Sequence, residues 1–99
     1  MIRHTVCWTL ASTDPAERTD AVAGMRERLE SLPDVVPGLQ SLIVRADLGD
    51  IDSNWDVVLV SEHDDRAALA VYTDHPAHLA VASFTRSVVA ERVCVDVEL

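Results

Sequence analysis

The chain contains no lysine: all eight of its basic residues are arginine. That absence removes Schiff-base catalysis, pyridoxal phosphate attachment and the lysine of a P-loop. Glycine is nearly as scarce, with three in 99 residues. None falls in a G-x-G-x-x-G or G-x-S-x-G setting, so neither a nucleotide cradle nor a nucleophile elbow has a candidate. The two cysteines, Cys7 and Cys94, form no C-x-x-C pair and read as small buried hydrophobes of a cytosolic chain. No apolar run approaches the roughly 20 residues of a membrane span. The opening segment MIRHTVCWTL has neither a long apolar stretch nor a small-residue cleavage site, so a cytoplasmic protein with no membrane partner is expected. Basic charge is also short: 17 acids against eight bases leave a net charge of −9. Such a surface repels phosphate backbones and argues against a nucleic-acid partner.

What is present is the vocabulary of one packed domain, residues 1–99, with 48% hydrophobic and 25% charged residues. IRHTVCWTL (2–10) alternates as a strand, with His4, Val6, Trp8 and Leu10 on one face and Arg3, Thr5, Cys7 and Thr9 on the other. Asp14, Pro15 and Glu17 are a cap, a first-turn proline and an acid three after the cap, which start a helix carrying Val22, Met25, Leu29 and Leu32 at helical spacing. LPDVVPG ends it. Strands follow over 39–48 and 55–63, then a short helix in DDRAALAVYTD, a second from Pro76 to about Ala90, and a last strand over 92–99.

That order is β-α-β-β-α-β, an α+β ferredoxin-like sandwich. Its two helices cover one sheet face. Nothing remains to cover the other, where Thr5, Cys7, Val58 or Val57, and Val93 or Cys94 must lie. A partly apolar, bare sheet face asks for a second copy of the chain, so a homodimer is expected.

The stretch YTDHPAHLAV (72–81) holds the chain's only tyrosine and two of its four histidines. His75 precedes a proline, which pushes its backbone out of the helical region, so Asp74 or His75 serves as a helix cap. His78 begins a stripe through Val81, Ala82, Thr85 and Val89 that faces the sheet, and Tyr72 follows Leu69 on the buried side of the preceding helix. The two polar tips either satisfy each other in a closed core or flank a cavity in which His78 titrates as an acid or base. His75-x-x-His78 has a zinc-like spacing, but Pro76 breaks the helix between them, and no metal or other cofactor is expected.

At these residues the chain resembles the stress-responsive dimeric α/β-barrel (Dabb) family. The likeness rests on His4 in the first strand, Leu32-Pro33, Pro37-Gly38 and Ser41-Leu42 between helix and strand, and RVCVDVEL at the end. Its strongest part runs from Asp56 through LVSE, Ala68-Leu69, Tyr72 and His75-Pro76 to His78. The resemblance implies two sheets meeting face to face as a barrel. Through the branch of olivetolic acid cyclase-type polyketide cyclases, it implies that Tyr72 and His78 are the catalytic pair. His4, Val6 and Trp8 from the strand face and Val81 from the helix stripe are expected around a substrate. Two departures stand out: His63 replaces a phenylalanine after LVSE, and Trp8 is bulky enough to fill the cavity it should line.

Three functions compete on this reading. One is a cofactor-independent cyclase or lyase acting on a small polyketide-like or ketone substrate. The second is a non-catalytic stress-responsive binding dimer, and the third a cofactorless quinol-type monooxygenase. A void of roughly 300 Å³ or more walled by His78 and Tyr72 favours a ligand; Trp8 packed onto His78 favours a closed core.

Overall fold

Alternation in the first strand sets the architecture. In the computed structural model, which describes residues 1–99, β1 (Ile2–Leu10) buries Ile2, His4, Val6 and Trp8 on one face and turns Arg3, Thr5, Cys7 and Thr9 to the other. There follow α1 (Pro15–Leu29), a 3₁₀ turn (Leu32–Asp34), β2 (Leu39–Ala46), β3 (Val57–His63), α2 (Arg66–Asp74), α3 (Pro76–Val88) and β4 (Val89–Glu98). The strands form one antiparallel sheet in the order β2-β3-β1-β4. This is the ferredoxin-like β-α-β-β-α-β topology, with the second helical segment divided at Pro76.

Local chemistry explains each element. Asp14 Oδ2 accepts the Glu17 N–H at 2.9 Å and Pro15 takes the first turn of α1, where a missing N–H costs nothing. Ala21, Met25 and Leu29 are the buried stripe of α1, and they meet Leu32, Val36, Leu42, Val44, Val57 and Leu59 in one core. Gly24 lets α3 come close: a Cβ there would stand 2.5 Å from Phe84 Cζ. The Arg28 guanidinium lies over the same ring, 3.8 Å from its centroid.

The strand limits differ from the sequence expectation in instructive ways. β2 ends at Ala46, because the chain turns at Asp47–Gly49, where Gly49 has φ 86°. β4 begins at Val89, three residues early, as the chain leaves α3 and pairs Val89 with Leu10 across an irregularity next to Thr9. The cysteines are free and only half-buried. They lie on opposite sheet faces, because Cys7 is on the Thr5 side of β1, whereas Cys94 pairs with Val6.

Asp56 is a structural knot. Its Oδ2 accepts the Leu10 N–H at 2.8 Å, its Oδ1 pairs with Arg18 at 2.8 Å, and its own N–H donates to Trp8 O at 2.9 Å. Burial opposes the carboxylate charge, but the Leu10 N–H and Arg18 together hold its pKa below the usual range. Asp56→Ala is expected to cost about 1–3 kcal/mol, because the part-buried Leu10 N–H loses its acceptor; a drop in the urea midpoint with unchanged slope checks this.

The sheet face opposite the helices is bare. Register puts Val58 and Val93 there beside Cys7, and sends Val57 and Cys94 to the covered side. Ile43, Val93, Val95 and Val97 are 42 to 60% exposed on that face.

Candidate active-site cavity

A break between two helices builds the site. His75 has extended backbone angles (φ −63°, ψ 133°) and ends α2 while it starts α3. Its N–H donates to Tyr72 O at 3.2 Å, and its Nδ1 accepts the Ala77 N–H at 3.1 Å. His75 is therefore a cap. The reversal brings Tyr72, in the last turn of α2, onto His78, in the first turn of α3, with ring centroids 4.2 Å apart and planes 33° apart.

Both rings stand at the wall of a cavity of 460 Å³ between α3 and the covered face of the sheet. Val6, Trp8, Leu29, Leu59, Ala82, Thr85 and Val89 give it an apolar lining. Trp8 lines the space without filling it. Val81 packs against the core on another side of α3 and does not reach the cavity.

Hydrogen bonding settles the tautomer of His78. His78 Nδ1 lies 3.1 Å from Thr73 O; a carbonyl only accepts, so Nδ1 carries the proton and Nε2 keeps its lone pair. His4 also lines the cavity, and its Nδ1 lies 2.5 Å from Asp96 Oδ1. The carboxylate accepts that N–H. Burial holds the His78 pKa down against the Thr73 bond, which works the other way, and His4, then Arg92 and Arg86, add to the lowering. Burial pushes the Tyr72 hydroxyl up to about 12, so it stays a proton donor at neutral pH.

Behind the wall, His63 is fully buried, with its ring 5.0 Å from Tyr72 and its Nε2 2.9 Å from Ser61 Oγ. Its Nδ1 has no partner. Burial, then the neighbouring His4, hold its pKa down.

The pH dependence of stability follows. His63 and His78 both resist protonation when folded, whereas an unfolded imidazole takes up its proton near about pH 6.5. Below that pH the unfolded chain binds more protons, so stability falls as pH falls. The melting temperature is expected to be level from about pH 8 to 7 and to decline from about 6.5 downward. A level curve down to about pH 5 would show that neither ring is shielded.

The sequence reading missed Asp96, Cys94, Arg86 and Arg92. His4 Nδ1, Cys94 Sγ and Asp96 Oδ1 lie within 4.8 Å of one another and are the residues of this chain that could hold a divalent ion. Cys94 Sγ is 3.3 Å from His4 Nδ1 and 3.6 Å from Asp96 Oδ1. Burial and then Asp96 push its thiol up, which favours the protonated form. No spacing rule could find this set, since the residues come from opposite ends of the chain and only the β1–β4 register joins them.

The fold is thus a ferredoxin-like sandwich with two imidazoles and a tyrosine around a mainly apolar cavity, built without lysine or a glycine loop. The model of the stress-responsive A/B barrel domain matches residues 2–99, and the chain belongs to that family. A dimeric ferredoxin-like protein of unknown function from Bacteroides fragilis is 25% identical with a TM-score of 0.88, the match covering 99% of this chain and 95% of that one. Another, from Thermobifida fusca, is 29% identical with a TM-score of 0.80, over 99% and 90% of the two chains. A hydroxynitrile lyase from Passiflora edulis has the same fold, with a TM-score of 0.77 at 17% identity over 97% and 90%. None of the curated proteins matches the chain in sequence.

Proposed function

We propose that the chain acts as a homodimeric acid–base catalyst on a small hydrophobic ketone or polyketide-like substrate, with His78 and Tyr72 as its catalytic residues. His78 Nε2 takes a proton from the carbon next to the carbonyl, and the C–H electron pair moves to the carbonyl oxygen as an enolate. The Tyr72 hydroxyl hydrogen-bonds that oxygen, and the proton returns from His78 in the second half of the reaction. His4, Val6 and Trp8 surround the substrate.

The observation that carries this reading is the pairing at the cavity wall. A neutral imidazole with Nε2 free lies 4.2 Å from a phenol that is protonated at neutral pH, beside 460 Å³ of mainly apolar space. A closed core would have spent both polar tips on each other. The hydroxynitrile lyase of the same fold supports small-molecule chemistry on this scaffold, and the dimeric relatives support the dimer.

The direct test is proton exchange. With 4-phenylbutan-2-one in deuterated buffer, NMR should show deuterium entering the α-carbons faster with the protein than without it. Exchange no faster than the buffer blank, with the probe bound, would leave a non-catalytic binding dimer instead.

A further inference from the structure

Arginine is in short supply here, eight residues against 17 carboxylates, so an arginine without an acidic partner is unexpected. Five arginines are paired: Arg3 with Glu62, Arg18 with Asp56, Arg26 and Arg45 with Glu30, and Arg66 with Glu98. Arg28 is stacked on Phe84 and donates to Gly24 O. Arg86 and Arg92 have neither an acidic partner nor such a ring, and both line the cavity that holds His78 and Tyr72.

They reach it from two directions. Arg86 lies eight residues after His78 on the same stripe of α3, and Arg92 pairs with Trp8 on the covered face of β4. The only acidic residue in the lining is Glu91, and its carboxylate is turned to Thr9 Oγ1 at 3.3 Å, on the opposite sheet face. Neither guanidinium meets a carboxylate at the rim of this mainly apolar space, although Arg92 lies beside the Cys94 thiol. Both are exposed, which places them at the mouth, while Val6, Trp8, Leu29 and Leu59 lie within.

We infer that the cavity takes a small apolar molecule bearing a carboxylate, its charged end held at the mouth by Arg86 and Arg92 and its hydrocarbon body inside. This rests on the reading of the cavity as a ligand site given above. Guanidinium forks match carboxylate oxygens in pairs, and the planar donor set gives orientation as well as attraction. A ligand so anchored presents the carbons next to its charged end to His78 and Tyr72, whose ionisation already registers the charge of Arg92.

The test compares 3-phenylpropanoate with 3-phenylpropanamide by calorimetry at low salt. The two have nearly one shape and differ in charge. The acid is expected to bind about tenfold more tightly, a modest ratio because the arginines are solvated, and added salt should shrink the preference. In the R86Q/R92Q double variant the preference should vanish while amide affinity stays, which also shows that the variant is folded. Arg66→Gln removes the same kind of charge from a residue 83% exposed and away from the cavity, and it should leave the preference intact. Equal binding of acid and amide by the wild type, or a preference that survives the double variant, overturns the carboxylate assignment and leaves the cavity reading standing. If neither probe binds at millimolar concentration, the cavity reading falls and this inference falls with it.

Discussion

Replacing Val95 with aspartate is expected to shift the mass seen by light scattering from about twice 10.8 kDa to about 10.8 kDa at micromolar concentration. The bare sheet face presents Thr5 and Cys7 from β1, Val58 and Val60 from β3, Ile43 from β2, and Val93, Val95 and Val97 from β4. Fully burying a valine side chain stabilises by about 1.5–3 kcal/mol, and several of these together are enough to hold two copies. Val95 is the most exposed of them at 60%, so an aspartate there costs the single chain little. In a dry interface the same carboxylate would lack a partner, at several kcal/mol for each copy. Val35→Asp is the control: Val35 is 55% exposed but lies in the turn before β2, and its variant should keep the wild-type mass. A well-folded wild-type monomer at micromolar concentration would remove the dimer altogether.

The second large effect belongs to the paired rings. His78→Asn should slow deuterium exchange into 4-phenylbutan-2-one by about 10²–10⁴-fold, the range general-base removal produces. Tyr72→Phe should slow it by roughly 10²-fold, because it deletes one donor to the developing oxyanion and keeps the ring. Their stabilities should behave differently from those of core polar partners. Nothing in the chain hydrogen-bonds the Tyr72 hydroxyl, so Tyr72→Phe is expected to leave the melting temperature unchanged or slightly raised. A loss of about 1–3 kcal/mol would instead mark a satisfied buried hydroxyl and contradict the proposed role.

The exchange rate should rise with pH as His78 loses its proton, at a pKa below the ordinary imidazole value. It should then stay level toward the Tyr72 value of about 12. A rate that falls across neutral pH would exclude a neutral imidazole as the base.

Much of this architecture is local and was legible in the sequence. Alternation in β1, the Asp14 cap with Pro15, and the extended residue before Pro76 each fix a boundary without help from distant parts of the chain. Tyr72 and His78 were legible too, because helical spacing alone turns them inward. Val81 was misplaced for a geometric reason. Three residues advance a helix by about 300°, which swings Val81 off the stripe that His78, Ala82, Thr85 and Val89 share. Arg86 is on that stripe, but a charged residue near a helix end reads as solvent-facing, and nothing local says that its acidic partner is missing. Asp96 and Cys94 were beyond reach. Their meeting with His4 depends on the pairing of the first strand with the last, across nearly the whole chain.

The interruption at His75-Pro76 has a consequence for how such a site can arise at all. Were residues 66–88 one continuous helix, Tyr72 and His78 would be separated by six residues, about 9 Å of rise and about 240° of turn. The phenol and the imidazole would then point to different sides and never touch. A single extended residue and the fixed φ of a proline fold that distance away and leave the rings 4.2 Å apart. The residues that look like punctuation are therefore what brings the two rings together.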